Sequence, residues 1–209
     1  MSAALDRFMQ ISPVVPVVVI DDVQHAVPLA HTLLEAGVAV IEVTLRSDAA
    51  LASIAAIARE VPAITLAVGT VLNAQQLQSA CDAGATLAIS PGIDRELIDA
   101  AARLGIPLLP GIATASELML GLNAGLTRFK LFPATAINGL ELAKGFVGPF
   151  PQARFCPTGG ISLEAAPLYL AQPNILCIGA SWLASSADIR AARWDSIRRN
   201  AQKAINLRR

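Results

Sequence analysis

The stretch Val40-Ile41-Glu42-Val43-Thr44-Leu45-Arg46 alternates without a break. Ile41, Val43 and Leu45 share an apolar face, and Glu42, Thr44 and Arg46 share the opposite one. A second stretch, Arg128-Phe129-Lys130-Leu131-Phe132, puts Phe129 and Leu131 on one side and Arg128, Lys130 and Phe132 on the other. In a closed barrel of parallel strands, alternate residues point into the centre and the rest meet a surrounding layer of helices. The apolar faces of both stretches suit the helix layer. Their polar faces must then turn inward.

The rest of the chain fits that architecture. Eight short apolar runs read as buried strands: residues 14–20, 39–45, 64–70, 86–90, 107–110, 128–132, 153–158 and 175–179. Between them lie helix-period segments over 23–36, 48–60, 73–83, 94–104 and 114–124, which stop at Gly37, before Pro62, and at Gly84, Gly105 and Gly125. Thr114-Ala115-Ser116-Glu117 has the spacing of a capping box, and Asp21 and Asp22 read as helix-start residues. Strands that alternate with helices pair in parallel through right-handed crossovers. With a helical stub over 3–10 and a C-terminal helix over 188–206, the expected fold class is α/β, a (β/α)8 TIM barrel forming a single domain over 1–209. The rival is an open doubly wound sheet. It lacks a G-x-G-x-x-G after the first strand, and none of the eight runs carries the charges of a protected sheet edge.

Composition narrows the function classes. Of 209 residues, 54% are apolar and 15% charged, against roughly 25% charged in an ordinary globular protein. Sixteen basic and 16 acidic side chains cancel, which argues against a nucleic-acid binder with its basic face and against disorder. A surface this poor in charge points to burial in an oligomer. The first residues lack the pattern of a secretion signal, and no run resembles a membrane span. Cys81, Cys156 and Cys177 are an odd count without close pairing, as expected of reduced thiols in a cytoplasmic protein.

Parity in the third strand groups Leu66, Val68 and Thr70, and in the seventh Arg154, Cys156 and Thr158. Glu42, Arg46, Thr70, Lys130 and Thr158 are therefore expected in one enclosed volume. Burying such charges unpaired costs several kcal/mol each. An internal salt-bridge layer is one explanation and an active site is the other. The position of Arg46 and Thr70 at C-terminal strand ends favours the second. Lys130 is one of three lysines, and Lys144 and Lys203 fall on predicted helices. At the ordinary lysine pKa near 10.4, only about one amine in a few thousand is neutral at pH 7. Burial among Phe129, Leu131 and Phe132, with Arg128 or Arg46 nearby, would favour the uncharged amine that a Schiff base requires. A Lys130–Glu42 ion pair without turnover is the alternative. Glu42 is placed to shuttle a proton, Arg46 to fork a substrate carboxylate or to sit at the rim as a surface arginine, and Thr70 to donate a hydroxyl. Two glycine-bearing segments, Thr158-Gly159-Gly160-Ile161-Ser162 and Gly179-Ala180-Ser181-Trp182, follow the seventh and eighth strands, where barrels often hold a phosphate on backbone N–H groups. His25 and His31 belong to no metal-ligand cluster, and no serine elbow or cysteine pair suggests another nucleophile.

Taken together, Val14-Val15-Pro16-Val17, residues 37–46, Val68-Gly69-Thr70-Val71-Leu72-Asn73, Ile89-Ser90-Pro91-Gly92, Pro110-Gly111, Phe129-Lys130-Leu131-Phe132-Pro133-Ala134, residues 154–161 and Cys177-Ile178-Gly179 resemble the family of 2-keto-3-deoxy-6-phosphogluconate (KDPG) and 4-hydroxy-2-oxoglutarate aldolases. The resemblance implies a class I lyase on a (β/α)8 barrel, a homotrimer, with no metal or cofactor, acting on a phosphorylated 2-keto-3-deoxy sugar acid and releasing pyruvate. It puts the Schiff base on Lys130 and the general acid/base on Glu42. Substrate contacts fall on Arg46, Thr70, Thr158, Pro91 and Phe132, and phosphate contacts on Gly159, Gly160, Gly179 and Ser181. Ala67, Leu131 and the stretch 135–139 depart from the family pattern without removing a reactive group. The residues by themselves leave two other functions open. One is a phosphate-binding isomerase or decarboxylase that uses Lys130 as a point charge. The other is a non-catalytic sugar-acid binding protein.

Overall fold

The apolar runs become nine parallel strand segments in a computed structural model that describes residues 2–208. In chain order the elements are α1 (Ser2–Ile11), β1 (Val14–Val18), a 3-10 turn (Val23–His25) that leads into α2 (Ala26–Glu35), β2 (Val40–Thr44), α3 (Ala50–Glu60), β3 (Thr65–Gly69), α4 (Ala74–Asp82), β4 (Leu87–Ile89), α5 (Arg95–Leu104), β5 (Leu108–Leu109), β6 (Gly111–Ile112), α6 (Ala115–Asn123), β7 (Arg128–Leu131), α7 (Gly139–Phe146), β8 (Arg154–Pro157), α8 (Ala166–Leu170), β9 (Ile178–Ala180), α9 (Ser186–Arg190) and α10 (Trp194–Ile205). Runs rich in Val, Ile and Leu form these strands because both faces are covered, which is the rule for parallel sheets.

The expected α/β class and parallel pairing hold, and the sheet is curled. The strands form two sheets, one of order β5-β4-β3-β2-β1-β9 and one of order β6-β7-β8, rather than one uninterrupted ring. The single strand expected over 107–110 is split at Pro110, which has no N–H to give a neighbour. The backbone still bonds to both sides there. Ser90 N–H donates to Leu109 O at 3.3 Å, and Lys130 N–H donates to Pro110 O at 2.8 Å. At the other junction, single parallel bridges join Phe155 to Ile175 and Thr158 to Gly179.

Most predicted helix starts carry the predicted caps. Asp22 accepts from Gln24 N–H at 3.0 Å, Asn73 from Gln76 N–H at 2.8 Å and Asp94 from Leu97 N–H at 2.9 Å. Thr114 accepts from Glu117 N–H at 3.2 Å, while the Glu117 carboxylate reaches back to Ala113 N–H at 2.7 Å, one residue beyond the usual box. α3 begins at Ala50, without a side-chain cap, and not at Asp48. The helix expected over 188–206 is two helices, because Ala192 takes a left-handed φ of 49° and turns the chain between α9 and α10. α7 and α8 occupy segments for which no helix boundaries were predicted. No helix among the described residues is long and apolar enough to cross a membrane.

Two packing features position β7. On its outer side Phe129 lies 6.3 Å from Phe155, which lies 5.8 Å from Phe146 of α7, and all three rings are buried. At its N-terminal end, Arg128 forks onto Asp6 of α1, with Nη2 to Oδ2 at 2.9 Å. Arg128 is thereby spoken for and is not the free cation beside Lys130 that the sequence suggested. Asp6→Ala leaves a half-buried guanidinium without its acid. It is expected to lower stability by about 1–3 kcal/mol, read as a shifted urea midpoint. Turnover per folded molecule should stay at the parent value, because the pair sits at the other end of the strand from the Lys130 amine.

Candidate active site

Strand register decides which side chains meet. Glu42 is aligned with Val17 on β1 and Ala67 on β3, and Thr44 with Gly69. Lys130 is aligned with Gly111 on β6 and Cys156 on β8. Aligned residues in a parallel sheet point the same way, so Glu42 and Lys130 face one interior from two different sheets. They meet there. Lys130 Nζ lies 3.0 Å from Glu42 Oε1, with Glu42 2% and Lys130 5% exposed. The amine also stands 5.4 Å from the centre of the Phe132 ring. Small neighbours make the room. A Cβ on Gly69 would come within 2.7 Å of Glu42 Cγ, so no larger residue fits at position 69 while the carboxylate stays where it is.

A cavity of about 410 Å³ opens over this pair. Every residue named from the sequence lines it: Glu42, Arg46, Thr70, Pro91, Lys130, Phe132, Thr158, Gly159, Gly160, Gly179 and Ser181. Val17, Thr44, Ile161 and Ala180 line it too and were not singled out. Thr44 was legible from its shared face with Glu42, and Ile161 and Ala180 from their glycine neighbours. Val17 needed the β1–β2 register, which no pattern within one strand supplies.

Thr70 arrives by a different route from the one expected. Parity grouped it with Leu66 and Val68, but the register turns Ala67 and Gly69 toward Glu42 and Thr44, so Leu66 and Val68 point to the helices. Thr70 follows the last residue of β3 and takes a φ of 60°. That left-handed turn breaks the alternation and brings its side chain to the cavity. It is an uncommon conformation for a β-branched residue, costing ~1–2 kcal/mol, of the kind that functional sites retain.

Arg46 lies just past the end of β2. Its Nε–H donates to Thr44 Oγ1 at 3.0 Å, and among the described residues no carboxylate lies within ion-pair distance of it. The cavity therefore holds two basic side chains against one acidic one, with a guanidinium fork still open to an anion. Opposite, Gly159 and Gly160 take φ values of 108° and 79°, which only glycine adopts without strain. Thr135 holds this turn, since its N–H and hydroxyl donate to Gly159 O at 3.0 and 2.9 Å. The turn does not run straight into a helix as expected, because α8 starts only at Ala166. Gly179 and Ala180 belong to β9 itself and not to the loop after it. The set offers a nucleophilic amine, a carboxylate in hydrogen-bond contact with it, an anion fork and a glycine turn around one space. This is a constellation suited to carbonyl chemistry on an acidic substrate.

The comparisons with known proteins agree with that chemistry. The family profile described as KDPG and KHG aldolase matches residues 5–200. A 2-dehydro-3-deoxy-phosphogluconate aldolase of Pseudoalteromonas atlantica is 52% identical over 200 residues, 96% of this chain and 93% of that protein. The KHG/KDPG aldolase of Escherichia coli is 48% identical over 200 residues, 96% of this chain and 94% of that one. The crystal structure of KDPG aldolase from Legionella pneumophila, with pyruvate captured at low pH as a covalent carbinolamine intermediate, superposes with a TM-score of 0.94 at 40% identity. It covers 96% of this chain and 97% of its own.

The contact between position 69 and Glu42 gives a direct test. Gly69→Ala forces the carboxylate away from Lys130, and a stability loss of about 1–3 kcal/mol is expected from the overpacking. Turnover should fall by about a hundredfold or more, in line with the contribution of a positioned acid–base group. Urea unfolding and steady-state turnover check the two parts separately.

Proposed function

The chain belongs to the KDPG and KHG aldolase family, and from that membership we propose that it cleaves 2-dehydro-3-deoxy-6-phosphogluconate to pyruvate and glyceraldehyde 3-phosphate through a Schiff base on Lys130. The observation that carries the residue assignment is the buried 3.0 Å contact between Lys130 and Glu42, beneath an arginine without an acid partner.

The steps follow from those groups. Proton transfer from Lys130 to Glu42 along their hydrogen bond leaves an uncharged amine, and its lone pair adds to the C2 ketone. The carbinolamine hydroxyl takes the proton held by Glu42 and leaves as water, which gives an iminium ion, the electron sink, and returns Glu42 to its carboxylate form. Glu42, as carboxylate, takes the C4 hydroxyl proton, directly or through one water. The C4–O bond becomes a carbonyl, the C3–C4 bond breaks into the iminium, and glyceraldehyde 3-phosphate leaves. The resulting enamine takes a proton at C3, returned by Glu42, and water hydrolyses the new iminium to free pyruvate and lysine. Arg46 and Thr70 hold the substrate carboxylate throughout, which fixes C2 in front of the amine before chemistry begins. Pro91, Phe132 and Thr158 shape the space around the chain of the sugar acid, and Gly159, Gly160, Gly179 and Ser181 receive the phosphate on backbone N–H groups. The chemistry requires no metal or cofactor, because the iminium supplies the activation.

A second substrate is 4-hydroxy-2-oxoglutarate, cleaved to pyruvate and glyoxylate. The 48% identity to a protein named KHG/KDPG aldolase supports it, and it shares the pyruvyl half on which Lys130, Arg46 and Thr70 act. We further read residues 1–209 as one domain whose two sheets close into an eight-stranded barrel. Backbone bonds on both sides of Pro110 and the bridges between 155 and 175 and between 158 and 179 support that reading. A homotrimer in the cytoplasm is the assembly and location proposed for it.

Borohydride reduction in the presence of pyruvate should attach the three-carbon unit to Lys130, found by peptide mass spectrometry. A label on Lys144 or Lys203 would overturn the assignment. No trapping at all would favour an isomerase or decarboxylase that uses the lysine as a charge. Lys130→Met should abolish turnover with an unchanged circular dichroism spectrum. Glu42→Gln should lower kcat by about 10²–10⁴. In an assay coupled to lactate dehydrogenase, both substrates should release pyruvate.

A further inference from the structure

Arg46 stands outside the strand that carries Glu42, on a loop, and a free arginine side chain holds about 2 kcal/mol of rotamer entropy. A guanidinium that must meet a carboxylate in one geometry needs something to aim it. We propose that Thr44 is the positioning residue for Arg46 and thereby sets the affinity for the keto-acid end of the substrate. The inference rests on the proposed function, in which Arg46 holds the substrate carboxylate.

The hydrogen-bond directions carry the inference. Thr44 is 1% exposed. Its hydroxyl owns one hydrogen, and that hydrogen is committed to Val18 O on β1 at 2.8 Å, because a carbonyl can only accept. The oxygen lone pairs are therefore left to face Arg46, whose Nε–H donates to them at 3.0 Å. Holding the guanidinium by Nε leaves Nη1 and Nη2 unused among the described residues, and those two nitrogens can fork a carboxylate end-on. The main chain supports the same arrangement. Arg46 N–H donates to Thr44 O at 2.8 Å, which folds residue 46 back over residue 44. Ser47 Oγ donates to Ile20 O at 2.5 Å, a second hydroxyl tie from this loop to the chain leaving β1. Thr44 thus links β1, the end of β2 and the arginine through one buried oxygen. Thr44 carries no group able to exchange a proton usefully with substrate, so its effect is exerted through Arg46.

The carboxylate is held in the ground state and in the transition state alike, so the loss from a misaimed arginine falls mainly on KM. Thr44→Val keeps the β-branch and the volume and removes the oxygen. Expected is a KM for KDPG raised about tenfold, with kcat changed less than about threefold, an unchanged Tm within a few degrees, and recovery to within about twofold of the parent in Thr44→Ser. In the double variant with Arg46→Met, KM should be no higher than in Arg46→Met alone, since both changes remove the same interaction. If Thr44→Val does not fold, Thr44→Ala read in the same way carries the test. A Thr44→Val KM at the parent value beside a raised Arg46→Met KM overturns this inference and leaves the carboxylate assignment standing. Additive effects in the double variant overturn it as well, because they would mean that Thr44 acts elsewhere. An Arg46→Met KM at the parent value overturns the carboxylate assignment and this inference with it.

Discussion

An ion pair that crosses the interior constrains everything around it. Glu42 belongs to the six-stranded sheet and Lys130 to the three-stranded one, and their 3.0 Å contact requires the two sheets to enclose a single volume. Two opposite charges in so dry a place are costly to bury and costlier to separate. The surroundings are arranged for the pair. Ala67 and Gly111 are the small residues in register with it, Gly69 leaves room for the Glu42 side chain, and outside it the rings of Phe129, Phe155 and Phe146 back the strands against the helices. The same closeness would let a proton pass between the partners, so one contact ties the fold together and, in the proposed mechanism, starts the chemistry.

How much of this was legible in the sequence depends on the range of the signal. Glu42 and Lys130 were readable because alternation within one strand is local and strict, and the polar face of a buried strand stands out. The helix caps at Asp22, Asn73, Asp94 and Thr114 were readable for a similar reason, as side chain and backbone lie within three residues of each other. Thr70 was expected at the cavity from a parity that does not hold, since its left-handed turn, and not the pleat, delivers it there. Register between strands has no local signature, which is why Val17 was missed and Leu66 and Val68 were turned the wrong way. Pro110 signalled a strand end, but the chain resumes pairing at Gly111 with a different neighbour. The break at Ala192 carries no glycine or proline to announce it.

The two ends of the strands divide the work. At the N-terminal end, Arg128 is clamped to Asp6 of α1 and meets a neighbouring acid as any structural ion pair does. At the C-terminal end, polar groups are left partly unmatched, Thr70 is held in a strained turn and the Gly159-Gly160 turn depends on Thr135. Strain and unmatched polarity are tolerated there because paired strands and buried packing beneath them hold the backbone in place.

The unmatched guanidinium at the mouth of the cavity has an effect that reaches beyond contact distance. An excess of positive charge in a concave, low-dielectric mouth concentrates field lines into the solvent ahead of it and draws polyanions inward before they touch the wall. Capture of a multiply charged sugar acid should therefore slow as dissolved ions shorten the Debye length, while an uncharged aldehyde approaching the same opening would be indifferent to them.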